Sequence, residues 1–275
     1  MKNASSQNIR NCRRTAMTAV AIACLLPFAA PAAQPTYQPD TLREQHYKEC
    51  LAQVQSDTPG ALDNATGWVE DGGGPLARHC QALALLKMGK PGAAAKLLDD
   101  IAVELIGSRP ELVPDALAQG AQAWAQTGNL TAAIKDQTDA IKERPRDPEL
   151  LVDRAQFYAD QKNYDEAIKD LTQALTVDPN NIDALTYRGA AYRRLNKLDL
   201  ASVDLEAALK LAPNDPDALL ERGILRRVRD DRQGARQDWL KLLLTAPDAP
   251  AADIARADLE ALDVKVEPAT PPAKP

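Results

Sequence analysis

Two histidines and four cysteines are the side chains of this 275-residue sequence best suited to metal binding or proton transfer. His46 and Cys50 stand four apart, so a helix would place them on one face. His79 and Cys80 are adjacent, and a helix would turn them in different directions. A two-His, two-Cys metal site, or an enzyme centred on these residues, would draw on all four. The spacing lacks the short Cys-x-x-Cys knuckle of structural zinc sites. The chain has no Gly-rich phosphate loop, no Gly-x-Ser-x-Gly and no His-Glu-x-x-His. Gly72-Gly73-Gly74 lacks the strand that a phosphate loop needs and reads as an interhelix link. The expectation is a protein without enzymatic activity, cofactor or metal.

The address of the chain bears on the cysteines. Lys2, Arg10, Arg13 and Arg14 form a positive region, followed by an apolar stretch over residues 16–30. Ala30-Pro31-Ala32-Ala33 offers small residues to a signal peptidase. Residues 1–33 therefore read as a secretory signal peptide. A membrane anchor is the competing reading, but the run is short and contains Pro27. A lipoprotein cut at Cys24 is another, with Ala21 standing where a Leu is usual. The expected mature chain is periplasmic or secreted and has no membrane span. Four positive charges leave with the leader, so the net charge falls from −6 to −10. Such an acidic chain is a poor nucleic-acid binder. Cys50 and Cys80 remain, in an oxidising compartment.

The elements that position these residues follow from an internal period. Aromatic residues are only 4% of the chain, and Ala and Leu, which favour helix, are abundant. In steps of 34 stand Ala121, Ala155, Gly189 and Gly223, all small. Ala133, Ala167, Ala201 and Ala235 keep the same step, as do Pro145, Pro179, Pro213 and Pro247. Ala140, Ala174 and Ala208 form another series, broken by Leu242. Trp124, Tyr158, Tyr192 and Arg226 form a fifth. Small residues at fixed positions suit helix crossings. Asp147, Asn181 and Asp215 are good N-caps, and Pro148 and Pro216 follow two of them.

This pattern resembles the tetratricopeptide repeat, with a small eighth residue, an aromatic eleventh, an Ala at the twentieth and a closing Pro. The resemblance implies an all-α fold, an α-solenoid in which helix–turn–helix units wind into a right-handed superhelix with helical caps. Residues 34–74 read as an N-terminal cap pair, with helices over 41–55 and 59–69. Residues 75–113 read as a degenerate unit carrying a five-residue insertion at 107–111. The four clear repeats are 114–147, 148–181, 182–215 and 216–249. Residues 250–262 read as a capping helix and 263–275 as a disordered Pro-rich tail. Cys50 and Cys80 then fall on first helices of neighbouring units. A disulfide is expected there, with free buried cysteines as the competing state.

Two further constellations recur with the repeat. Arg154, Arg188 and Arg222 take the seventh position, and Asp170, Asp204 and Asp238 the twenty-third. These read as structural ion pairs between the two helices of a unit. A ladder of anion sites is the competing reading.

The resemblance also implies that a partner lies in the concave groove lined by the first helices. The groove positions of this chain include Gln122, Gln156, Arg193, Arg194, Leu220, Ile224 and Arg227. Chaperone-binding members hold a terminal carboxylate with a Lys at the fifth position. Here that position carries Ala118, Val152, Thr186 and Leu220, so the clamp is absent. The expected function is a scaffold or adaptor for protein–protein interaction, or an accessory subunit of a cell-envelope enzyme. Arginines beside Leu220 and Ile224 suggest an acidic, partly hydrophobic protein or peptide partner.

Overall fold

Proline, acid and asparagine punctuate this chain so regularly that its helices begin and end at repeating places. The computed structural model describes residues 39–263. The expected leader, Cys24 and residues 264–275 lie outside the described residues. Among the described residues there are thirteen α-helices, one 3₁₀ turn at Pro110–Leu112 and no strand. The first four helices are α1 (Pro39–Ser56), α2 (Thr58–Glu70), α3 (Gly74–Lys87) and α4 (Pro91–Ser108). The four clear repeats supply α5 (Val113–Gln126), α6 (Leu130–Glu143), α7 (Pro148–Asp160), α8 (Tyr164–Val177), α9 (Ile182–Arg194), α10 (Leu198–Leu211), α11 (Pro216–Val228) and α12 (Arg232–Thr245). The last helix is α13 (Pro250–Asp263).

The caps are specific. The Asn181 and Asp215 side chains accept from the backbone N–H of Ala184 and Ala218, each at 2.8 Å. Each satisfies a donor that the first helical turn cannot. The turn inside each unit passes through the left-handed region at one place, Gly128, Lys162, Asn196 and Asp230, with φ between 57° and 81°. These residues are spaced by the repeat.

The crossings explain the small residues. A Cβ on Gly223 would fall 2.2 Å from Trp239 Nε1, and one on Gly189 would fall 2.8 Å from Leu205 Cγ. Nothing larger than glycine fits at either point. Around them Leu151, Leu171, Leu205 and Leu219 are buried, each contributing on the order of 2 kcal/mol relative to exposure. The Leu242 break in its Ala series has a structural reason. Leu242 is fully buried with Trp239 against Ala251, Ala252 and Ala255 of α13. The terminal helix asks for a larger side chain there than another repeat would.

First helices of successive units touch, α7 with α9 and α9 with α11, whereas no pair of second helices packs to the same extent. The stack therefore bends toward its first helices, and these line the inner face of an all-α solenoid. None of the described helices is long and apolar enough to cross a membrane.

Candidate functional site

The histidines and cysteines do not converge. Cys50 and Cys80 form a disulfide with Cα atoms 6.2 Å apart, tying α1 to α3. Sulfurs bonded to each other supply no thiolate, which corrects the alternative of a His46/Cys50/His79/Cys80 centre. His46 stacks on Trp68 at 4.3 Å between ring centroids. His79 is buried between Tyr47 and Gln119. Its Nε2–H donates to Gln119 Oε1 at 2.6 Å, leaving Nδ1 to accept the Tyr47 hydroxyl proton. Burial lowers the His79 pKa and, ahead of repulsion from Glu44, pushes the Tyr47 phenol up to about 12. This imidazole is a neutral structural link. No group of three or more His, Cys, Asp or Glu suited to a metal occurs among the described residues.

Arginine and aspartate meet as bidentate pairs. Arg154 Nε and Nη2 donate to Asp170, both at 2.7 Å. Arg188 binds Asp204 in the same way at 2.7 and 2.8 Å, and Arg222 binds Asp238 at 3.0 and 2.7 Å. The three carboxylates are buried, so each is matched by a two-pronged donor rather than left to repel. Arg154 and Arg188 also lie over the rings of Tyr158 and Tyr192. Arg226 reaches Asp238 as well, at 2.8 Å.

On the inner face the groove residues divide. Gln156, Arg193 and Arg194 line a hollow of about 310 Å³ with Ala159, Tyr187 and Ala190. Arg193 is taken up by Glu221, through Nε at 2.9 Å and Nη2 at 2.6 Å. Arg194 is exposed and makes no ion pair among the described residues. Gln122 is exposed in the early half and reaches Asp153 only at 3.4 Å. Arg227 pairs with Asp258 of α13 at 2.9 Å and lies over the Trp239 ring.

The sequence expectation for the late groove is corrected here. Leu220 is only 6% exposed and, with Ile224 packed against it, belongs to the core shared with α13. Neither serves as an exposed apolar anchor, because the terminal helix folds back on α11 and covers that side.

Sequence reasoning missed the acidic character of this face. Burial, then repulsion from Asp215, raises the pKa of Asp183. Asp217 is raised by burial and by Asp215, Asp183 and Glu221. Burial raises Asp153, and Tyr187 is pushed up to about 12 by burial and then by Asp183 and Asp217. The signal was present at the second position of each repeat, where a first-turn acid is sufficiently explained by the helix dipole.

Comparison with known proteins agrees with this geometry. Tetratricopeptide-repeat family models match residues 81–148 and 182–215, and a TPR-repeat model matches 155–195. No curated protein sequence matches the chain. Among solved structures the chain is similar to pilF of Pseudomonas aeruginosa, at 15% identity and a TM-score of 0.62, covering 80% of this chain and 98% of that one. It is similar to a tetratricopeptide repeat protein from Parabacteroides merdae, at 19% identity and 0.55, covering 79% and 73%. A thermophilic TPR protein of Thermus thermophilus gives 19% and 0.54, covering 68% and 98%. At these identities the likeness speaks to fold. Repeat period, paired helices and family matches together identify the chain as a tetratricopeptide-repeat protein.

Proposed function

We propose that this chain is a non-catalytic scaffold of the bacterial periplasm or the secreted space, holding a segment of a partner protein on its inner face across α7, α9 and α11. The observation that carries the reading is the hollow at Gln156, Tyr187, Ala190 and Arg194, an inner-face depression with solvent-accessible polar groups on its walls. The secretory pattern of residues 1–33 and the Cys50–Cys80 bridge support the compartment.

The internal pairing of Arg193 and Arg227 changes the partner that fits. Asp160, Asp183, Asp217 and Arg194 are inner-face charges in this region without an ion pair among the described residues. They favour a segment with a basic group toward Asp183 and Asp217, a carboxylate toward Arg194 and an apolar contact on Tyr187. A wholly acidic segment would meet the aspartates.

A photo-crosslinking residue tests this. Placed at Ala190 in the native cell, it should capture a discrete periplasmic partner. Placed at Val203, exposed on α10, it should not. Capture at position 203 and not at 190 would move the binding face away from the groove. Intact mass of the purified protein tests the address, with a start near Ala33 or Gln34 and no lipid expected.

A further inference from the structure

The bracket ladder lacks one rung. Where three repeats carry Arg154, Arg188 and Arg222, the first carries Gly120. The carboxylate that an arginine would bind is nevertheless present. Asp136 is 3% exposed, and no nitrogen donor reaches its Oδ2, whose polar neighbour is the Asp99 carboxyl. Its Oδ1 accepts only from the largely exposed Lys135, at 3.1 Å.

The intact rungs define what is missing. Arg154 and Arg188 bind the aspartate of their own unit, lie over a tyrosine and donate through Nη1 to a threonine of the preceding unit. Those threonines are Thr138, at 3.0 Å, and Thr172, at 3.3 Å. Once the insertion at 107–111 is counted, the residue corresponding to Thr138 in the degenerate unit is Asp99. The aromatic position is Trp124, whose indole N–H donates to Asp99 at 3.1 Å. A Cβ on Gly120 would lie 3.6 Å from Asp136 Oδ2 and 3.5 Å from Asp99 Oδ1, which is ordinary contact. Leu98 Cβ lies equally near, at 3.5 Å, so a side chain can start at this point without a clash and would meet the two carboxylates.

The two carboxylates border a hollow of about 820 Å³ on the side of the second helices, away from the inner groove. Its rim carries Val103 and Ile106 of α4, which are 70% and 65% exposed. The neighbouring cations are already engaged, Lys142 by Asp139 and Arg78 by Glu104.

We propose that this opening docks an arginine of a partner protein, its guanidinium bridging Asp136 and Asp99 and its flanking apolar residues resting on Val103 and Ile106. Arginine suits the site because two carboxylates meet its planar fork, whereas an ammonium presents a point charge. The Asp136 Oδ2, which no nitrogen donor reaches, supplies the charge complementarity, and the apolar rim specifies a protein segment rather than a free cation. The site is independent of the inner groove.

The Trp124 indole N–H signal in nuclear magnetic resonance reports occupancy directly. Titration with n-propylguanidinium should shift it saturably, and neutral n-propylurea should not. The peptide acetyl-Val-Arg-Leu-amide should bind about ten-fold or more tightly than n-propylguanidinium, and its citrulline counterpart should lose that affinity. Val103→Ser with Ile106→Ser should reduce the peptide to the level of n-propylguanidinium. Gly120→Arg fills the opening from within, so it should abolish binding of both probes while leaving the fold intact. Equal response to the guanidinium and the urea, or undiminished binding in Gly120→Arg, would overturn the site. A peptide no tighter than n-propylguanidinium would overturn the docking of a protein.

Discussion

Arg227 of α11 forms an ion pair with Asp258 of α13 at 2.9 Å. One residue belongs to the last full repeat and the other to the terminal helix. The pair shows how the solenoid is closed, because α13 covers the core of the last repeat and neutralises a charge that a further repeat would have met. It also covers the late end of the inner face, where α13 packs on α11.

The brackets should be structural in a measurable way. Arg188→Ala leaves Asp204 buried without its donor, so a loss of about 3–5 kcal/mol is expected. Arg188→Leu keeps apolar packing where the arginine stem lay and should lose less. Arg188→Leu combined with Asp204→Leu should recover part of the deficit. Melting temperatures of the three variants check this. Negligible loss in Arg188→Ala would mean that the arginine is merely solvated.

Lys162 occupies the left-handed turn position at φ 62°, where its neighbour one repeat earlier is Gly128. A non-glycine residue is strained there by about 1–2 kcal/mol. Lys162→Gly should therefore raise stability by about 1 kcal/mol, after the added entropy of the unfolded chain is allowed for. Urea denaturation measures the change. A destabilised variant would show that the lysine side chain makes a contact outweighing the strain.

Asp99 gives the stability a pH signature. Burial, then the hydrogen bond to Asp136 and repulsion from it, push its carboxyl up to about 6 from 3.8, against the opposing Trp124 N–H and Lys135. A raised folded-state pKa means that the folded chain keeps a proton that the unfolded chain has released. The contribution is complete below about pH 4 and is lost as pH rises through about 6. Asp99→Asn removes it. The variant should gain stability over wild type at pH 7 and lose that advantage at pH 4. Melting curves at both values decide, and parallel pH profiles would contradict the assignment.

Reducing the Cys50–Cys80 bridge reopens a loop of sequence separation 30 and should cost about 3 kcal/mol in the chain-entropy view. Denaturant midpoints with and without reductant measure it. Two reactive thiols in unreduced, denatured protein would show that the bridge is absent.

What could be read in the sequence was whatever repeats. Gly223 is small because Trp239 lies across it, and Arg188 lies opposite Asp204 because a fixed period fixes both helices. What could not be read depends on segments outside the period. Arg227 looked free because nothing in the repeat pattern places Asp258, and Leu220 looked like an anchor for the same reason. Gly120 is visible as a gap in a series, but the insertion at 107–111 hides that Asp99 faces it. The Tyr47–His79–Gln119 chain joins the cap pair to a regular repeat and has no periodic signature at all.

The most direct test of the central claim is the affinity of the partner captured at Ala190, measured by calorimetry for wild type and for Arg194→Glu combined with Asp183→Lys. The variant inverts two unpaired inner-face charges and spares Gly189, Ala201, Gly223 and Ala235 at the crossings. Helix content should survive, and binding should weaken about ten-fold or more, near 1.4 kcal/mol. Gln122→Glu, in the early groove, should change little. A folded variant that binds the partner as tightly as wild type would contradict a binding site on the inner face at α7 to α11.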